Sequence, residues 1–217
     1  MTTIEYRNVG GNFFDKYNTR NCLARRLMQG FFAAFDSLVT REEPETAFEV
    51  GCGEGYLSLR MLERNIDAHG FDLEPEIVAQ ANTKSEAAGY GTRFETKSLY
   101  DLKTAEIETN LIVCCEVLEH LPDPRAALTI LASQRSQGFI FSVPREPVWR
   151  LLNMARGKYL GAFGNTPGHL QHWSSQGFLR EIGQHFHPVA VLKPLPWTMV
   201  LARPLRTSSC RAVERSA

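Results

Sequence analysis

The chain has no excess of charge. Its 217 residues carry 24 Lys and Arg against 24 Asp and Glu, a formal net charge of zero. A protein that grips polyphosphate mainly by electrostatics needs a strong basic excess, so that class is disfavoured. Cysteine is scarce: five residues, an odd number, with no Cys-x-x-Cys spacing. That argues against a thiolate zinc ribbon or a disulfide framework and for free, reduced thiols in a cytoplasmic protein. No apolar run reaches the roughly 20 residues of a bilayer span. The opening segment, MTTIEYRNVGG, lacks the apolar core of a secretory signal. Internal repeats and low-complexity tracts are absent as well.

What is present is an ordinary globular composition, 43% hydrophobic and 22% charged, long enough to bury a two-faced sheet. Leu23, Leu27, Phe31, Phe35 and Leu38 recur at helical spacing within residues 21–39. Strands are then expected at 46–50, 67–72, 92–97, 110–115 and 138–143, separated by helices starting at Tyr56, Pro75 and Pro124. Regular βα alternation implies a parallel sheet with helices on both faces. After strand five the rhythm breaks: residues 144–173 form an insertion rich in Trp, Arg, Gly and His, and loops of that length are usually functional. A helix at 175–186 and strands at 188–193 and 197–202 complete an α/β, Rossmann-like, seven-stranded and mostly parallel sheet. We read 1–205 as one domain, with an N-terminal arm and lid helix at 1–40 and a disordered tail at 206–217.

Residues 47–55, Ala-Phe-Glu-Val-Gly-Cys-Gly-Glu-Gly, run a buried strand into a glycine turn that opens a helix. Gly51, Gly53 and Gly55 let a ligand approach the backbone. A dinucleotide site requires GxGxxG, but Tyr56 stands where the third glycine belongs. The turn therefore suits S-adenosylmethionine (SAM), whose linker carries no phosphate, better than a pyrophosphate. Asp72, at the end of strand two, can accept both hydroxyls of a ribose or cap the next helix. Strand four ends in Cys-Cys-Glu-Val-Leu-Glu-His-Leu-Pro-Asp-Pro (114–124).

These strings, in this order, resemble the motifs of class I SAM-dependent methyltransferases. The resemblance is nearest to the O-methyltransferases of ubiquinone biosynthesis and to the small-RNA 2′-O-methyltransferases. It implies that Glu49, Gly51, Cys52, Gly53 and Gly55 surround the methionine moiety, with the Cys115 carbonyl a direct acceptor for its amino group. Asp72 and Leu73 would take the ribose, Ser98 and Leu99 the adenine, and Glu116 would line the same pocket.

Both branches carry Glu-x-x-Glu-His at this strand end, here Glu116, Glu119 and His120. In the RNA branch these residues and a downstream His ligate a divalent metal. Two carboxylates crowded together repel unless a cation or proton intervenes, and oxygen with imidazole suits Mg²⁺, Mn²⁺ or a related ion. His169, four residues before Trp173, is the expected fourth ligand; His172 competes with it as ligand or general base. The alternative leaves Glu116 in the SAM pocket and His120 bracing the next helix, with no metal. Trp149 is read as packing, Trp173 as packing or acceptor contact, and Arg150, Arg156 and Lys158 as a solvated helix face.

The expected activity is SAM-dependent methyl transfer to a hydroxyl of a small metabolite, with Glu116, His169 and His172 as catalytic candidates, in a monomer or homodimer. RNA is the second acceptor, and an amine needing no metal the third. A non-catalytic SAM-binding subunit and a dehydrogenase are rivals of other classes.

Overall fold

The structure, a computed structural model, describes residues 22–205. The expectations for the arm and for the tail lie outside the described residues. Helix α1 spans Cys22–Glu42, and its buried face is Met28, Phe31, Phe35, Leu38 and Val39. Leu23 falls off that face and is exposed.

Strands β1 (Thr46–Val50), β2 (Asp67–Asp72), β3 (Phe94–Thr96), β4 (Glu108–Cys115), β5 (Arg135–Pro144), β6 (Phe186–Leu192) and β7 (Trp197–Pro204) form one sheet in the order β3-β2-β1-β4-β5-β7-β6. β1 to β5 run parallel, and β7 is antiparallel to both of its neighbours. The expected seven strands are therefore all present. Five consecutive residues at the end of β4, Leu111 to Cys115, are buried, as required of a parallel strand covered on both faces.

Alternation along the strands divides the core into two layers. Val50, Ile112, Cys114, Phe139 and Phe141 face helices α4 (Pro124–Ala132) and α6 (Ser175–Ile182). Ala47, Leu111, Val113, Ile140, Met199 and Leu201 face α1 and helix α2 (Tyr56–Leu62). Asp36 of α1 binds Arg60 of α2 at 2.5 and 2.6 Å and Arg64 at 2.8 Å, so the two helices are also joined by charge. Helix α3 (Pro75–Ala87) starts on Pro75, whose missing N–H has no helical partner to lose.

The chain order reverses between β1 and β4, and in such sheets the crevice beyond the strand ends at the reversal is where ligands sit. The insertion is not one long loop. It contains helix α5 (Val148–Ala155), and Arg145 and Trp173 form a bridge across its neck.

Candidate functional site

Two cavities open at the carboxyl ends of the strands, and Glu116 and His120 line both. The first lies over the glycine turn, where Gly51, Gly53 and Gly55 have φ of 71°, 52° and 80°. Their roles differ. A Cβ on Gly51 would meet Val117 Cγ2 at 2.4 Å, and one on Gly55 would meet Phe94 Cζ at 2.9 Å, whereas one on Gly53 would meet nothing within 4 Å. Packing demands the outer two glycines; Gly51 and Gly53 both line the cavity, and only at Gly53 would a side chain meet open space.

Asp72 braces this turn. Its Oδ2 accepts from the Gly53 N–H at 2.8 Å and its Oδ1 from the Glu74 N–H at 3.2 Å. Glu49 is 4% exposed, and its Oε2 accepts from the Ser58 N–H at 2.9 Å and the Ser58 hydroxyl at 2.5 Å. Burial pushes its carboxyl up to about 8, the Ser58 bonds opposing the shift in part. Leu73, Ser98, Leu99 and Cys115 line the same cavity. Ser98 Oγ also accepts from the Tyr100 N–H at 3.2 Å, and Leu73 is 52% exposed. Burial raises the thiol pKa of Cys52, Cys114 and Cys115, so these groups stay protonated.

The second cavity lies between the β4 end, α1, β7 and the insertion. Glu119, His120 and His169 come together there, one potential ligand atom from each lying within 4.8 Å of the others. Local bonds fix this grouping. The Glu119 carbonyl accepts from the Leu170 and Gln171 N–H groups at 2.8 and 3.0 Å, docking the insertion on the β4 end. His120 Nδ1 lies 3.0 Å from the Gly168 carbonyl. A carbonyl only accepts, so Nδ1 carries the proton in that bond and Nε2 of the neutral ring keeps the lone pair.

The structure therefore assembles three of the four expected ligands. Glu116 stands apart from the group: its Oε1 accepts from the Ser142 hydroxyl at 3.1 Å and its Oε2 from Trp197 Nε1–H at 2.6 Å. Its backbone sits at φ 60°, a conformation that costs a non-glycine residue on the order of 1–3 kcal/mol and clusters at functional sites. The Glu116 N–H bond to the Ser142 carbonyl, at 3.0 Å, helps to hold it. His172 does not reach either cavity. It is exposed, with Nε2 at 2.6 Å from Asn165 Oδ1. Trp173 packs on Phe178, with ring centroids 5.7 Å apart.

Sequence reasoning missed Trp197 and Ser142. Trp197 meets Phe31 (5.1 Å between centroids) and Trp149 (5.9 Å); Trp149 stacks on His169 (5.8 Å), which meets His120 edge-on (4.9 Å). An aromatic row thus ties α1 to the histidine pair, and Trp149, read as packing, lines the second cavity. Nothing in the spacing could have signalled it, since Trp197 reaches Glu116 across 81 residues of chain.

Residues 47–135 match the family model described as a methyltransferase domain. The chain is 28% identical over 170 residues to the ubiquinone biosynthesis O-methyltransferase of Xanthomonas axonopodis pv. citri, covering 72% of this chain and 70% of that one. It is 30% identical over 138 residues to the enzyme of the same name from Methylococcus capsulatus, covering 62% of this chain and 56% of the relative. With other relatives of that name the match spans just under two thirds of their length. Among solved structures, magnesium protoporphyrin IX methyltransferase from Synechocystis with bound SAH superposes with a TM-score of 0.66 at 19% identity, over 91% of each chain. A SAM-dependent methyltransferase from Clostridium acetobutylicum gives 0.61 at 9% identity, over 83% of this chain and 91% of the other. These likenesses speak to the fold alone. Residues 47–135 match as a methyltransferase domain, and with the motif strings and the cavity at the chain reversal they support a class I SAM-dependent methyltransferase.

Proposed function

We propose that the chain methylates a hydroxyl of a small metabolite, with SAM in the first cavity and the acceptor in the second. The observation that carries this reading is the adjacency of the two cavities, which share Glu116 and His120. SAM supplies the methyl group as an electrophile. In this reading the open backbone of Gly53 faces the methionine moiety, with Gly51 and Gly55 shaping the turn, and Cys52 and Glu49 line the same end. The Cys115 carbonyl accepts from the amino group, Asp72 and Leu73 hold the ribose, and Ser98 and Leu99 border the adenine. Holding acceptor oxygen, methyl and sulfur in line, in a cleft closed to water, does most of the work.

The hydroxyl proton must leave. Glu119, His120 and His169 are the groups able to hold or take it, and Trp149 fixes the plane of the His169 ring. One carboxylate oxygen and two imidazole nitrogens within 4.8 Å also fit a divalent cation. Such an ion, Mg²⁺ or a relative, would supply Lewis acidity to the acceptor oxygens. Glu116, held by Ser142 and Trp197, is a positioning residue at the boundary rather than a fourth ligand. An RNA 3′ end, which presents a vicinal diol, is the second reading, and the same three-residue cluster favours it.

The test is transfer of labelled methyl from SAM to catechols, phenols, sugars, amines and RNA 3′ ends, with Mg²⁺ or Mn²⁺ and again with EDTA. Transfer to a catechol that collapses with EDTA, and in His169→Ala, supports hydroxyl methylation with a bound cation. Transfer indifferent to EDTA removes the cation and leaves the histidines as base. Transfer only to amines overturns the reading.

A further inference from the structure

Two of the basic residues near 150–158, Arg156 and Lys158, line the second cavity. Trp149, Leu152 and Asn153 of α5 and Arg156 at its C-terminal cap follow one another at intervals of three, one and three residues, and all line that cavity. Trp149 marks the end stacked on His169. Arg156 lies two turns on, about 10 Å along the axis.

Its guanidinium is held in place. Nη2 donates to Asn153 Oδ1 and Nε to the Leu152 carbonyl at 3.3 Å, both neutral acceptors. Asn153 is 1% exposed and donates to the Gly164 carbonyl at 2.8 Å and to Thr166 Oγ1 at 3.1 Å. Gly157, at φ 69°, then reverses the chain. Its N–H donates to the Met154 carbonyl and that of Lys158 to the Asn153 carbonyl, both at 2.9 Å, a closing turn of the Schellman kind. Lys158 is thereby folded back to line the same cavity as Arg156.

The cavity is therefore polarised. Glu119, His120 and His169 stand together in its lining, with the rings of Trp149 and Trp197 in the wall, Arg156 two helical turns from Trp149, and Lys158 in the same lining. We infer that the acceptor is an aromatic hydroxy acid, its hydroxyl at the histidine end and its anionic group at Arg156 and Lys158. This rests on the reading of the second cavity as the acceptor site.

The experiment is calorimetric titration of the SAH-loaded protein with 3,4-dihydroxycinnamate and, separately, its neutral amide. The acid should bind about tenfold more tightly, as a charge-assisted hydrogen bond confers. The Arg156→Gln, Lys158→Gln double variant should lose that preference while its SAH affinity, the check on folding, is kept. Arg156→Lys, which preserves charge, should retain most of it. Equal binding of acid and amide by the wild type, a preference that survives the double variant, or binding of neither overturns the inference. Methyl transfer distinguishes this failure from that of the underlying reading. Equal turnover of acid and amide leaves hydroxyl methylation standing. Preferred binding of the acid with no methyl transferred to any hydroxyl overturns only the activity.

Discussion

At the scale of single residues, three glycines that look alike in the sequence have different duties. Gly51→Ala places a Cβ 2.4 Å from Val117, next to Glu116. It should lower the melting temperature and distort both cavities. Gly53→Ala finds open space, so its stability cost should stay near the ~1 kcal/mol of a strained backbone, with the larger loss in SAH affinity. Melting curves with SAH calorimetry separate the two; equal melting temperatures would contradict the assignment. Glu49 gives a pH signature. Its carboxyl rises from 4.5 to about 8 on folding, so between those values the folded state holds a proton that the unfolded chain has released. Stability from this group is therefore lost as pH rises through that window. Ligand-free Glu49→Gln should show a flatter fall in melting temperature from pH 5 to 8 than the wild type, and an unchanged slope would contradict the burial argument.

At the scale of elements, most of the strands and helices were legible because each has a local cause. Continuous apolar runs marked β4 and β5, and prolines marked the starts of α3 and α4. The Glu119–His120–His169 grouping was legible in part, from a motif and one spacing. The position of Glu116 was not, because a backbone at φ 60° and partners on β5 and β7 decide it. His172 failed as a candidate because the turn of the insertion aims it outward, toward Asn165. The insertion itself contains a short helix that composition concealed. Its inner turn depends on Gly164, at φ 75°, where a Cβ would lie 2.3 Å from the Arg150 carbonyl. Gly164→Ala should push the 159–169 segment off α5 and lower kcat/KM by about tenfold or more, since misplacement by an ångström is costly. SAH affinity should be spared, because other elements build the first cavity. A parallel fall in both would show that the cavities are not independently built.

At the scale of the whole molecule, the sheet sets one stage and the insertion furnishes one wall of the second cavity. The reversal of chain order between β1 and β4 opens the crevice; α1 and α5 wall off its second chamber; Glu116 sits where the chambers meet. The same fold serves many acceptors, so on the proposed reading the glycine-turn motif bears on the methyl donor and the lining of the second cavity on the recipient. On the proposed arrangement SAM lies against Asp72 and Leu73. Leu73 is suited to testing that placement, being half exposed and so of little weight in folding. The decisive measurement is calorimetric titration of wild type and Leu73→Asp with SAH. One SAH should bind per wild-type chain. The variant should bind it at least about tenfold more weakly, because its side chain offers the nucleoside no apolar surface to cover, and its melting temperature should be unchanged. No binding by the wild type, or equal affinity in the two proteins, would contradict the placement of the methyl donor.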